Sequence, residues 1–203
     1  PMNMFYKFID KSSDQTLVLL HGTGGDEHDL LFLGEQINPK ANLLGLRGRI
    51  NENGLNRFFK RLSPGVFDID NLIEETKYLD KFLKAFIKVN NLNKEGISLI
   101  GFSNGANMIG SHIYHYGKVY DTYILMHPMV PIKDFDIANQ NQNKILITAG
   151  ENDPLVSLDE TKELTKLLID KNADVTLNIY SFGHRLSESE IKDTKKWYKK
   201  NRL

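Results

Sequence analysis

The segment Ile97-Ser98-Leu99-Ile100-Gly101-Phe102-Ser103-Asn104-Gly105 constrains this chain more than any other. A short apolar run leads straight into a G-x-S-x-G pentad, and behind it Ala106, Ile109 and Ile113 recur at helical spacing. A strand that turns into a helix over so few residues leaves no room for side chains on either flank of the turn. Glycines at 101 and 105 answer that crowding. The serine between them is forced into strained backbone and lifted to the top of a sheet, at a helix N-terminus that favours developing negative charge. In this context Ser103 reads as a nucleophile; in an ordinary Gly-rich turn the same five residues would carry no chemistry.

The rest of the chain supplies the sheet that such a turn needs. Short apolar runs over 5–9, 16–20, 42–46, 96–101, 122–126, 144–149 and 175–182 predict strands. The central ones are nearly continuous in apolar residues, as parallel strands covered on both faces should be. Between them lie amphipathic patterns. Residues 71–89 place Leu72, Leu79, Phe82, Leu83, Phe86 and Ile87 on one stripe, and Ser157 with Glu160 opens a helix over 157–171 with a capping-box signature. Ser187 and Glu190 repeat that signature before Ile191, Trp197 and Tyr198 in a final helix. Alternating strands and helices predict an α/β fold: a mostly parallel central sheet with helices on both faces, in a single domain over 1–203. At 203 residues such a domain buries a substantial core. The one long irregular stretch, 47–70, carries Gly48, Gly54, Pro64 and Gly65 and reads as a surface loop with one helical turn, too small for a lid domain.

Charge and composition exclude several classes. Lys plus Arg and Asp plus Glu number 26 each, so no global field steers the chain towards nucleic acid or an anionic membrane. With no cysteine there is no disulfide, thiolate metal site or cysteine nucleophile. No apolar run approaches the ~20 residues that span a bilayer. Pro1-Met2-Asn3-Met4 does not resemble a secretory signal, and the expectation is a soluble, cytoplasmic protein; whether Pro1 is native stays open.

A serine nucleophile needs a base, and the base needs an acid to orient it. In open α/β sheets both belong on loops past the C-terminal ends of strands. Asp153, in Gly150-Glu151-Asn152-Asp153-Pro154, is the candidate acid, with Glu151 and Asp159 as competitors; His184, in Phe182-Gly183-His184-Arg185, is the candidate base. His112 and His115 lie within the helix after the pentad and read as packing or surface residues, whereas His127 follows a strand and is a candidate for lining the pocket. Asp26-Glu27-His28-Asp29 could suggest a metal cluster, but its spacing indicates no ligand geometry, and no metal or cofactor is expected. The tetrahedral intermediate of acyl transfer also needs two N–H donors. Asn104, after the nucleophile, and Thr23, in the Gly-rich turn Leu20-His21-Gly22-Thr23-Gly24-Gly25, are the candidates. That turn fits neither of the two common phosphate-loop patterns.

His21-Gly22-Thr23-Gly24-Gly25-Asp26, Gly101-Phe102-Ser103-Asn104-Gly105-Ala106, Gly150-Glu151-Asn152-Asp153-Pro154 and Gly183-His184 together resemble the carboxylesterase/phospholipase family of α/β-hydrolases, related to the acyl-protein thioesterases. Residues 47–54 with Arg57-Phe58-Phe59 look like its bacterial small-carboxylesterase branch. The resemblance implies a serine hydrolase with the triad Ser103, Asp153 and His184 and oxyanion donors Thr23 and Asn104. Its substrate would be a small carboxylic ester, aryl esters included, cleaved through an acyl-enzyme. Thioester or lysophospholipid cleavage by the same triad, and a ligand-binding protein without chemistry, are the alternatives. The resemblance also implies a homodimer. Asn104 departs from the glutamine usual in the thioesterases, which weakens that branch. Phe58 and Phe59, with Leu55, and Met129, with Val130, are the candidate walls of the substrate pocket. Arg47, Arg49, Arg57 and Arg61 are expected either to be solvated, to hold acidic residues of the loop, or to bind an anionic substrate.

Overall fold

The computed structural model describes residues 3–203, and the reading of Pro1 and Met2 lies outside them. Seven strands form the central sheet: β1 (Tyr6–Ile9), β2 (Thr16–Leu20), β3 (Asn42–Leu46), β8 (Ile97–Phe102), β9 (Thr122–Met126), β10 (Lys144–Gly150) and β11 (Asp174–Tyr180). Their order is β1-β3-β2-β8-β9-β10-β11, with β1 antiparallel to β3 and every other pairing parallel. All five residues of β2, β3 and β9 are buried, because helices cover both faces and leave no solvated side to alternate towards. Helices α1 (Leu31–Ile37) and α5 (Glu188–Asn201) cover one face, packing Leu33, Ile37, Trp197 and Tyr198 with Leu17, Leu19 and Ile124. Helices α2 (Ile69–Val89), α3 (Asn104–Tyr116) and α4 (Leu158–Ile169) cover the other, packing Leu79, Leu83, Ile109, Ile113 and Leu164 with Val18, Leu99 and Ile147. No helix among the described residues is long and apolar enough to cross a membrane.

The stretch 47–70 is more ordered than its composition suggests. It forms two hairpins, β4 (Ile50–Glu52) with β5 (Leu55–Arg57) and β6 (Arg61–Ser63) with β7 (Val66–Phe67), and the single helical turn expected there is absent. The first hairpin turns at Asn53-Gly54, whose φ values of 54° and 84° are those of the two-residue turn that matches strand twist. That pair was a legible hairpin signal in the sequence.

At the pentad, Ser103 has φ 53° and ψ −111°, a region that costs a non-glycine residue on the order of 1–3 kcal/mol. It is held there because β2 and α3 touch backbone to backbone. A Cβ on Gly105 would sit 2.1 Å from the Leu20 carbonyl oxygen, and one on Gly101 would sit 2.7 Å from the Ala106 nitrogen. Further along α3, His112 is fully buried and its Nε2 lies 3.0 Å from Asp80 of α2, which Lys84 also contacts at 2.8 Å. Burial alone would raise the Asp80 carboxyl's pKa, but His112 and Lys84 hold it below the usual carboxylate range. His112 thus joins helices, as its position inside α3 suggested.

Gly105→Ala should destabilise the protein by about 3 kcal/mol or abolish its soluble expression, read by urea denaturation, because the intruding methyl meets rigid backbone. The depressed Asp80 carboxyl contributes stability that is present above the unfolded carboxylate pKa of about 3.9 and lost as pH falls through its lower folded value. Asp80→Asn should therefore cost about 1–3 kcal/mol at neutral pH. It should also flatten the acid side of the stability–pH curve measured by thermal melts.

Candidate active site

Loops beyond the C-terminal ends of six parallel strands converge at one rim of the sheet. Ser103 follows β8, Asp153 follows β10 and His184 follows β11. The chain brings these three together: His184 Nε2 lies 2.7 Å from Ser103 Oγ, and His184 Nδ1 lies 2.6 Å from Asp153 Oδ2. The other carboxylate oxygen of Asp153 accepts from the Leu155 and Val156 N–H groups at 2.8 and 3.1 Å. Burial would raise the Asp153 pKa, but His184, these amides and His127 hold it below the usual carboxylate range. The competitors lie elsewhere. Asp159 stands in the first turn of α4, and Glu151 faces Ser181 at the surface.

Thr23 and Asn104 both border the cavity beside Ser103. Their backbone N–H groups have no acceptor among the described residues, so both are free to serve an oxyanion. The loop carrying Thr23 is fastened by His21, whose Nδ1 donates to the Gly22 carbonyl at 2.6 Å while Nε2 accepts from the Gly48 N–H at 3.0 Å. Burial pushes the His21 pKa down, which favours the neutral ring that this donor–acceptor pair requires. Asn104 has a second task, its Oδ1 accepting from the Phe58 N–H at 2.7 Å. This contact locks the hairpin segment onto the helix that follows Ser103.

The cavity measures about 600 Å³ and is bordered by Ser103, His184, Thr23, Arg57, Arg61, Phe67, Met129, Leu155 and Val156 among others. Met129 borders this cavity. Phe58 and Phe59 do not border it: both are buried in the core, Phe58 tilted against the His21 ring and Phe59 edge-on to Phe67. The hairpin buries these rings to anchor itself, and the cavity takes its aromatic wall from Phe67 instead. Of the four arginines, three hold carboxylates: Arg47 on Glu27 at 2.8 Å, Arg49 on Glu75 at 2.9 Å, and Arg57 near Glu52 at 3.4 Å. Arg57 also donates to Thr23 Oγ1 at 2.6 Å and to the Phe59 carbonyl at 3.1 Å. Arg61 borders the cavity and pairs with no carboxylate among the described residues.

His127 departs from its expected place. Instead of lining the cavity it is 1% exposed, behind Asp153. Its Nδ1 lies 3.2 Å from Asp153 Oδ2, and its Nε2 lies 3.0 Å from Glu190 Oε2. Glu190 is fully buried and also accepts from Thr148 Oγ1 at 2.5 Å. The only sequence signal for Glu190 was its place in the capping box with Ser187, which does form at the start of α5. His127, Asp153 and His184 present ligand atoms close together, as do Asp26, Glu27 and His28. In the first group, however, both histidines are engaged by carboxylates. In the second, Glu27 is clamped by Arg47 through both of its oxygens.

Comparison with known proteins follows the same lines. The sequence pattern of the dienelactone hydrolase family matches residues 67–200. The protein MhqD of Bacillus subtilis (strain 168) is 43% identical over 188 residues, covering 93% of this chain and 94% of its own. The crystal structure of the Bacillus cereus carboxylesterase superposes with a TM-score of 0.93 at 42% identity, over 98% of this chain and 94% of that one. YahD, solved with malic acid, superposes with a TM-score of 0.93 at 30% identity, over 98% of this chain and 100% of its own. With an α/β-hydrolase sheet, a rim of converging loops and these relatives, the chain belongs to the dienelactone hydrolase family and is a hydrolase of the dienelactone hydrolase and carboxylesterase type.

Proposed function

We propose that the protein is a serine esterase that cleaves small carboxylic esters through an acyl-enzyme on Ser103. The observation that carries this reading is the unbroken chain of contacts from Ser103 through His184 to Asp153, 2.7 and 2.6 Å long, opening onto a cavity. His184 Nε2 takes the Ser103 proton as Oγ attacks the ester carbonyl, and Asp153 holds the Nδ1–H tautomer and stabilises the imidazolium that forms. Charge passing to the carbonyl oxygen is met by the Thr23 and Asn104 N–H groups. The tetrahedral species collapses as the carbon–oxygen bond to the leaving group breaks, and His184 gives its proton to the departing alkoxide. Water then attacks the acyl-serine, with His184 again as base, and releases the acid.

The walls supplied by Phe67, Met129, Leu155 and Val156 suit a short acyl or aryl group. A thioester would use the same steps with a different leaving atom. One observation favours a narrower substrate class. The cavity carries Arg61, which has no carboxylate partner among the described residues, with Arg57 beside it, and YahD was solved with malic acid. We therefore favour esters that carry a carboxylate of their own.

Ser103→Ala should lower kcat for p-nitrophenyl acetate and butyrate by about 10⁴-fold or more and abolish fluorophosphonate labelling. Full activity in this variant would remove Ser103 from the mechanism. Arg61→Ala should raise KM for a carboxylate-bearing ester by about 10-fold while leaving KM for a neutral ester of the same size nearly unchanged. Equal effects on both would dismiss the anionic substrate.

A further inference from the structure

Three buried ionisable side chains lie in line behind the nucleophile, and the ordinary triad accounts for only one of them. Asp153 receives His184 on its front side and His127 on its rear, both at Oδ2, with distances of 2.6 and 3.2 Å. His127 in turn meets Glu190 at 3.0 and 3.1 Å. The side chains of His127 and Glu190 are 0% exposed and that of Asp153 is 2% exposed. The ionisable groups around His127 are Glu190 from α5, Asp153 from the loop after β10, and the His184 ring, which stands edge-on at 5.6 Å. Its neutral neighbours include the Phe102 ring, with Thr148 reaching it through Glu190.

A neutral imidazole offers one donor and one acceptor. Both nitrogens of His127 face carboxylate oxygens, so a lone pair on either would point at negative charge. With both carboxylates ionised, only the doubly protonated ring satisfies both contacts. Burial opposes that charge, but Glu190 and then Asp153 outweigh it and raise the His127 pKa. The backbone is also arranged for this contact, since His127 sits at φ 56° at the end of β9, its N–H donating to the Thr148 carbonyl at 2.9 Å. A β-strand end in the left-handed region is uncommon for a non-glycine residue and marks a position that the surroundings impose.

We infer that His127 is a permanently protonated positioning residue that shares the Asp153 oxygen with His184 and sets how strongly Asp153 draws a proton onto the base; this rests on the triad reading above. Glu190 supplies the countercharge that keeps the cation buried. In the resting enzyme Glu190, His127 and Asp153 sum to one negative charge. When His184 takes the Ser103 proton, the four groups become neutral together, so the buried cluster never holds an uncompensated excess of more than one charge. Without the cation, the negative charges of Asp153 and, behind it, Glu190 would act on His184 uncompensated, the protonated base would be over-stabilised, and acylation would need a higher pH.

The test compares the pH dependence of kcat/KM for p-nitrophenyl butyrate in the wild-type protein and His127→Gln, together with proton–nitrogen NMR of the histidine rings in both. His127→Gln keeps a donor for one carboxylate but carries no charge. Its acidic limb should move up by about one pH unit and its kcat should fall about 10-fold, with KM changing little. In the wild-type spectrum one imidazole, absent from the variant, should keep both N–H protons well above the pH at which an ordinary imidazole loses one. An acidic limb that does not move in a folded variant would overturn the inference, as would a His127 ring that loses a proton near the ordinary value. Should the variant fail to fold, the wild-type NMR decides alone. Failure of the triad reading is separate and recognisable: the wild-type protein itself would then neither turn over the ester nor react with a fluorophosphonate.

Discussion

The close approach of β2 to the start of α3 is the constraint on which the rest of the molecule depends. Gly105 touches the Leu20 carbonyl so tightly that no side chain fits, and the turn before it therefore bends through a left-handed serine. The strain is local and of the order of a few kcal/mol, but the sheet absorbs it. The Ser103 N–H extends the ladder by donating to the Met126 carbonyl, and one strand over the His127 N–H does the same to Thr148. Two adjacent strands thus end in positive-φ residues whose side chains are aimed by backbone hydrogen bonds, one towards the cavity and one beneath it.

Electrostatics at this rim are organised by burial rather than by net charge. The chain as a whole is neutral, yet its carboxylates at 75, 80, 153 and 190 are each buried and each met by a cation or an imidazole. A buried carboxylate without a partner would be expensive, so every one of these pairs restrains the elements that bring its members together. Arg49 with Glu75 ties the hairpin region to α2, His112 with Asp80 ties α3 to α2, and His127 with Glu190 ties the end of β9 to α5. The last pair lies against Asp153, whose other neighbour at the same oxygen is His184.

The hairpins over 50–67 show how the cavity comes to be bordered. Their aromatic residues divide the labour: Phe58 and Phe59 are committed to the core, and Phe67 faces the opening. Asn104, Thr23 and His21 reach from the site into this region through Phe58, Arg57 and Gly48. A loop so fastened places Arg57 and Arg61 at the cavity with little freedom to drift.

The sequence alone determined the sheet, its parallel core, the tight turn at Ser103 and the loops that carry Asp153 and His184, because these follow from local rules. Apolar runs, helical stripes, glycines at a crowded turn and the position of a residue just past a strand are all written in neighbouring letters. Capping-box residues Ser187 and Glu190 were likewise legible as a helix start. Tertiary structure decided what no local rule could. It sent Phe58 and Phe59 inward, because burial depends on which surface a hairpin meets. It placed His127 against Glu190, because residues 63 positions apart become neighbours only when β9 and α5 pack at the same rim. It also left the Arg61 side chain beside the cavity with no carboxylate partner among the described residues, while its three companions found carboxylates, an outcome set by distance in space and not by order along the chain.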